Sequence, residues 1–159
     1  MSSPLRLLRP EQMLLIDKVT RLYNRKGFVR ACKHLLKNSN GRSSSAMLLS
    51  INLAHLTFIE RVLGVEIAED MLKRTADILL DVFQDNALIG RWNADQFVLL
   101  SVAAPHRYNS MVRCLNERIE AANSSESSIR LSLSGQFRLI DLPVTAREVR
   151  FDRWEAIVH

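Results

Sequence analysis

Apolar residues recur along this chain in two patterns, at helical spacing over long stretches and in continuous or alternating runs of strand length. Residues 11–38 read as helical with a break. Met13, Leu14, Ile16 and Val19 precede an interruption at Tyr23-Asn24, and Val29, Cys32, Leu35 and Leu36 then resume the spacing. A Ser/Gly/Asn loop follows over residues 38–45. The run AMLLSINL, 46–53, predicts a short strand of the type buried on both faces. A short helix is expected from about His55, with Gly64 as its C-cap. Residues 66–83 predict the clearest helix, with Ile67, Met71, Ile78 and Val82 on one stripe. ALIGRW and QFVLLSV read as two strands of a hairpin joined at Asn93-Ala94-Asp95. Pro105 opens a further helix whose face is Tyr108, Met111, Val112, Leu115, Ile119 and Ala122. After the NSSESS loop, 123–128, the stretch IRLSLSGQFRLI alternates like a half-buried strand. The last 19 residues, 141–159, fit either a strand or a helix.

The sum is β-α-α-β-β-α-β behind a helical lead, an α+β sandwich with the helices expected on one face of the sheet. A length of 159 residues fits one domain, and the 47% hydrophobic fraction with four prolines excludes a disordered chain. No internal repeat is present. Two cysteines, Cys32 and Cys114, lie far apart without metal-ligand spacing, which points to a reducing compartment and no structural zinc. Both sit on apolar helix faces, as small core residues do. No apolar run reaches the length of a membrane span. The N-terminal leucines are interrupted by Arg6, Arg9 and Glu11, so a cytoplasmic segment is expected.

The formal charge is +5, but the basic residues are spread out. Arg21, Arg25, Lys26 and Arg30 lie near the start, and Arg147, Arg150 and Arg153 near the end. That distribution reads as a solvated surface, although the first cluster can attract phosphates. A basic nucleic-acid-binding module is the competing reading, and it lacks the aromatic cluster such modules use.

Four stretches resemble the GGDEF domains, which make cyclic di-GMP from two GTP molecules. They are DKVTRLYNRKGF (17–28), INLAHLTFIERVLGVEIAEDML (51–72), RWNADQF (91–97) and SLSGQ (132–136). The resemblance runs from about Asp17 to Gly135 in the family's order. It implies a nucleotidyl cyclase palm-like fold, a mainly antiparallel sheet flanked by helices. On this reading residues 1–16 are a helical lead, 17–140 a degenerate GGDEF domain, and 141–159 a tail of open structure.

The departures carry the functional message. In the family, an aspartate on the first strand and an acid at the hairpin hold Mg²⁺, beside a further glutamate that helps activate the 3′-hydroxyl. Hard cations want anionic oxygens. Here those positions are Asn52, Asp95 and Gln96, so one carboxylate remains of three. Loss of a general base alone costs about 10²–10⁴ in rate. The resemblance places the guanine-reading positions at Glu60 and Glu69, and the family's phosphate-side lysine at Thr57. Asn93 and Ala94 stand where the family has Gly-Gly, and the Cβ of Ala94 resists a left-handed turn. The product-binding Arg-x-x-Asp pair maps to Gln84 and Ala87. The family's C-terminal helix pattern is missing.

The expectation is therefore a catalytically inactive GGDEF-like regulatory or interaction domain of cyclic di-GMP signalling, part of a larger protein. Any nucleotide contact would be weak and fall to Glu60, Glu69, Asn93 and Asp95, with Asp95 as a residual metal ligand. No cofactor is expected, and Mg²⁺ with GTP would bind weakly. The partner is another signalling domain or protein, an EAL phosphodiesterase domain among the options, or a second copy through the helical lead. An active diguanylate cyclase with an altered metal site is the alternative. Asp17, Asn24 and Arg25 fit loop-fixing hydrogen bonds as well as phosphate contacts. His34, His55 and His106 read as surface or helix-end residues, and Trp92 as a sheet-packing aromatic.

Overall fold

The computed structural model describes residues 9–38, 45–83, 87–103, 107–124 and 129–141. The elements are α1 (Pro10–Met13), α2 (Arg25–Asn38), β1 (Ser45–Leu53), α3 (Leu56–Leu63), α4 (Val65–Phe83), β2 (Ala87–Asn93), β3 (Gln96–Ala103), α5 (Arg107–Asn123) and β4 (Leu133–Asp141). The strands form one sheet in the order β2-β3-β1-β4, and every ladder is antiparallel.

β1 lies inside the sheet, and its alternating side chains feed two cores. Met47, Leu49, Ile51 and Leu53 pack with Ile89, Phe97 and Leu99 beneath Ala68, Met71, Leu72, Leu79 and Phe83 of α4 and Tyr108 and Leu115 of α5. Ala46 and Leu48 pack on the opposite side with Trp92, Val98 and Leu100 against Phe28 and Cys32 of α2. The helices thus cover both faces, which corrects the expectation of one. The continuous apolar run of β1 is the sequence signature of that double burial. Each fully buried Leu or Phe contributes about 1.5–3 kcal/mol, so both cores matter to stability.

The helical lead is shorter than its spacing predicts. One turn, α1, is helical, and the chain then reverses through residues 14–24. The Asn24 side chain helps hold the reversal, together with the Leu22 and Leu15 carbonyls, which accept the Asp17 and Asn24 N–H groups at 2.8 and 2.9 Å. Asn24 Oδ1 accepts the Gly27 N–H at 2.8 Å and caps α2, while its Nδ2 donates to the Leu14 carbonyl at 2.7 Å. Gly27 is required here, because a Cβ would come within 2.1 Å of the Leu15 carbonyl oxygen. The predicted stripe divides accordingly. Met13 and Leu14 are exposed, whereas Val19 packs against the α4–α5 core.

On α4, Met71 and Ile78 are buried as predicted, but Ile67 is exposed. On α5, Tyr108 and Leu115 are buried, and Met111, Ile119 and Ala122 pack against the same core. Cys32 is buried, and that burial pushes its thiol pKa up. Cys114 is exposed, contrary to the expectation of a core residue. Pro105, His106 and residues 125–128 of the NSSESS loop lie outside the described residues. So does the tail beyond Asp141, with Arg147, Arg150 and Arg153. Among the described residues no helix is long and apolar enough to cross a membrane.

Candidate functional site

The hairpin turn is Ala94-Asp95, between Asn93, which ends β2, and Gln96, which opens β3. Asn93 pairs with Gln96 across the hairpin, after an irregularity between Arg91 and Asn93. Gln96 also faces Asn52 across the β1–β3 ladder, and the Leu53 N–H donates to the Asp95 carbonyl at 2.8 Å. Strand pairing therefore gathers Asn52, Asn93, Asp95 and Gln96 at one end of the sheet. Directly opposed side chains in such ladders start about 4.5–5.5 Å apart at Cβ.

Gln96 behaves differently from its neighbours. Asn52, Asn93, Ala94 and Asp95 are exposed, whereas Gln96 is 5% exposed. Its Nε2 donates to Ser50 Oγ at 2.9 Å, and its Oε1 accepts from Asn93 Nδ2 at 2.8 Å. Both ends of the amide are engaged, which meets the rule that buried polar groups are hydrogen-bonded. As a donor set for Mg²⁺, the corner offers one carboxylate and three amides, and the Gln96 oxygen already serves Asn93. A hard divalent cation is not matched by those groups. Among the described residues no cluster of three or more His, Cys, Asp or Glu side chains could hold a metal.

The turn closes without the left-handed residue that Gly-Gly would permit. The described non-glycine residues with positive φ are Arg21 (66°) and His55 (63°), so Ala94 carries no such strain. That agrees with the expectation that its Cβ resists a left-handed turn: the backbone takes a route an alanine allows.

A cation that the sequence reading left aside holds this corner to the rest of the fold. Arg91 Nη1 lies 3.2 Å from Asp17 Oδ1, with both side chains largely buried. Its Nη2 donates to the Ala94 carbonyl at 2.7 Å, and its Nε to the same oxygen at 3.2 Å. Asp17 Oδ2 in turn accepts from the Thr20 backbone N–H at 2.9 Å and the Thr20 hydroxyl at 2.8 Å. The first motif is thereby fastened to the hairpin. The Tyr23 carbonyl accepts the Arg91 N–H at 2.8 Å as a second tie. Arg25 lies over the Trp92 ring at 4.2 Å, and Phe28 meets the same ring edge-on at 6.4 Å. Asp17 and Asn24 therefore fix loops, and Arg25 packs on Trp92. Trp92 is buried as expected. Nothing in the sequence marks Ser50 as the partner of Gln96, because the two meet only diagonally across the β1–β3 ladder, where Ser50 pairs with Val98 and Asn52 with Gln96.

The positions implied to read guanine lie on the helices beside β1. Glu60 is exposed on α3, Glu69 is half-buried on α4, and Thr57 is exposed on α3. Ala87 is half-buried at the start of β2, while Gln84 lies outside the described residues. His34 and His55 are exposed. A cavity of about 710 Å³ lies elsewhere, between α1, α2 and β2, lined by Arg9, Tyr23, Arg30, His34 and Leu88 among others. It contains none of the residues gathered at the hairpin.

Comparisons with known proteins agree with this fold. No curated protein matches the chain significantly. Solved structures do. The coiled coil and GGDEF domain of DgcB from Caulobacter crescentus, in complex with c-di-GMP, has a TM-score of 0.74 at 14% identity, over 92% of this chain and 79% of that one. The GGDEF domain of FimX from Pseudomonas aeruginosa has a TM-score of 0.69 at 18% identity, over 85% of this chain and 86% of that one. Diguanylate cyclase SiaD from Pseudomonas aeruginosa, in complex with its activator SiaC, has a TM-score of 0.65 at 15% identity, over 86% of this chain and 55% of that one. At these identities the likeness shows the fold. The profile described as "Diguanylate cyclase, GGDEF domain" matches residues 14–136, and the chain belongs to the GGDEF domain family.

Proposed function

We propose that this GGDEF domain is a non-catalytic regulatory or interaction module of cyclic di-GMP signalling. One observation carries the reading. The position implied to supply an acid beside the reacting hydroxyl holds Gln96, a buried neutral amide whose two ends are tied to Ser50 and Asn93. An amide cannot take a proton from a 3′-hydroxyl, and its neutral oxygen, already accepting from Asn93, brings no charge to a cation. Asn52, across the ladder, removes a second charge, and Asp95 alone is left to attract Mg²⁺.

Product binding is weak on this reading. Neither Gln84 nor Ala87 has the charge or the bidentate geometry that grips a guanine or a phosphate. The role that remains is contact with another domain or protein. DgcB was solved with a coiled coil and SiaD with an activator, which supports a partner-binding role for domains of this fold. An EAL phosphodiesterase domain in the same protein and a cytoplasmic setting fit the proposal.

The test is a chromatographic assay of the purified chain with GTP and Mg²⁺. No cyclic di-GMP is expected over hours of incubation. Product that appears with the wild type and disappears with Asp95→Ala would establish the altered-site cyclase instead.

A further inference from the structure

Formal charge is divided between the two faces of the sheet. α2 carries five basic residues and no acid, a formal +5 that equals the net charge of the whole chain. α4, on the opposite face, carries five acids against two bases. From Arg9 to Ile59 the acids are Glu11 and Asp17, and Asp17 is held by Arg91 and Thr20. Phe28 and Cys32 turn one side of α2 into the core, while Lys26, Arg30 and Lys33 are exposed. The spacing of those three, i, i+4 and i+7, sets them in one stripe along the outer side of the helix.

Two apolar side chains stand beside the stripe. Met13 and Leu14 are 56% and 70% exposed, and Leu14 is the most exposed large apolar residue among those described. The Leu14 and Leu15 carbonyls both accept from Asn24, so this segment crosses the N-terminal end of α2. Leu15 and Arg30 line the same cavity, which places the segment along the flank of the stripe. A convex edge of cations with protruding aliphatic side chains fits a surface that is anionic outside and apolar beneath. Anionic phospholipid is such a surface: its phosphates meet Lys and Arg, and aliphatic side chains enter the boundary with the acyl chains. A nucleic acid would meet the same cations but offers the aliphatic pair little to bury against.

We propose that α2 and the adjoining Met13-Leu14 segment dock this domain on an anionic phospholipid surface, with the helix lying in the headgroup plane. This goes beyond the regulatory reading and does not rest on it, because none of these residues belongs to the hairpin corner. Each cation close to an anionic leaflet strengthens binding about fivefold, and the attraction fades beyond the Debye length. α4 and its five acids then lie on the far side of the sheet, so repulsion from the leaflet also sets the orientation.

Flotation of the full chain with phospholipid vesicles tests this. Binding is expected to vesicles of equal parts phosphatidylcholine and phosphatidylglycerol, and not to phosphatidylcholine alone. It weakens at least about tenfold between about 0.1 M and about 1 M NaCl, where the Debye length falls from about 10 Å to about 3 Å. Lys26→Glu, Arg30→Glu and Lys33→Glu combined abolish it. The three glutamine substitutions weaken it in the same direction and keep the test valid if the glutamates disturb folding. The charge-matched variant Arg61→Glu, Lys73→Glu, Arg113→Glu, at exposed sites on α3, α4 and α5, retains binding. Leu14→Ser weakens it about tenfold and leaves its salt dependence unchanged. Equal binding to both vesicle types, no binding to either, or an equal loss in the charge-matched variant overturns the proposal. So does a chain that ignores vesicles yet binds a DNA or RNA duplex in fluorescence anisotropy, which would assign the stripe to nucleic acid. Cyclic di-GMP synthesis would break the non-catalytic reading without bearing on the vesicle result.

Discussion

Residues 17–28 and residues 56–67 both fall within stretches that match the GGDEF pattern, yet the first is fastened into the molecule and the second stands clear of it. In the first, Asp17 binds Thr20 and Arg91, Asn24 caps α2, and Phe28 is fully buried against Gly90 and Trp92. In the second, Leu56 is the one buried residue of α3, and Phe58, Val62, Leu63 and Val65 face outward. The first stretch retains the family pattern because its residues hold the fold together. The second can depart from it without cost to the core, because its side chains other than Leu56 and Ile59 are exposed. Residue identity survives here where packing requires it, and changes where only chemistry would.

That contrast predicts a graded series. Phe28→Ala removes a side chain of zero exposure from between α2 and β2, and the expected loss is about 3–5 kcal/mol in urea unfolding. Arg91→Ala unties Asp17 and the Ala94 carbonyl together and leaves a largely buried carboxylate without its cation. A loss of about 2–3 kcal/mol is expected, and a smaller one would mean that the hairpin is held by its backbone alone. Gln96→Glu places a charge in the buried pocket beside Ser50. It is expected to lower stability by about 1–3 kcal/mol, read from the shift in denaturation midpoint at constant slope. Phe58→Ser lies on the outward face of α3 and is expected to stay within about 0.5 kcal/mol of the wild type. If Phe58→Ser proves as damaging as Phe28→Ala, the division between the two stretches is wrong.

The element order was legible from spacing alone, because β1, α4, the hairpin and α5 each carry a long, consistent apolar period. What spacing could not give was the layer arrangement. The apolar face of α2 is equally compatible with either side of the sheet, and only the fold assigns Phe28 and Cys32 to the face opposite α4. The over-long lead has a local cause. Its apolar residues keep helical spacing, but the Asn24 side chain captures the Leu14 carbonyl and ends the helix early, a competition that periodicity does not register. At the candidate site, the loss of charge at Asn52 and Gln96 was readable residue by residue. The locking of Gln96 by Ser50 and Asn93, and of the turn by Arg91, was not, because each depends on strand register or on a contact between residues far apart in the chain. The resistance of Ala94 to a left-handed turn was readable from its Cβ, and the turn takes a route with negative φ.

The most direct measurement is a calorimetric titration of the purified chain with GTP in the presence of Mg²⁺. With one carboxylate at the hairpin and the Gln96 amide closed on Ser50 and Asn93, no saturable heat is expected up to about millimolar nucleotide, the range of binding worth roughly 4 kcal/mol. Saturable binding at low micromolar GTP that requires Mg²⁺ and is abolished by Asp95→Ala would contradict it, and would show that a single carboxylate still assembles a metal–nucleotide site in this domain.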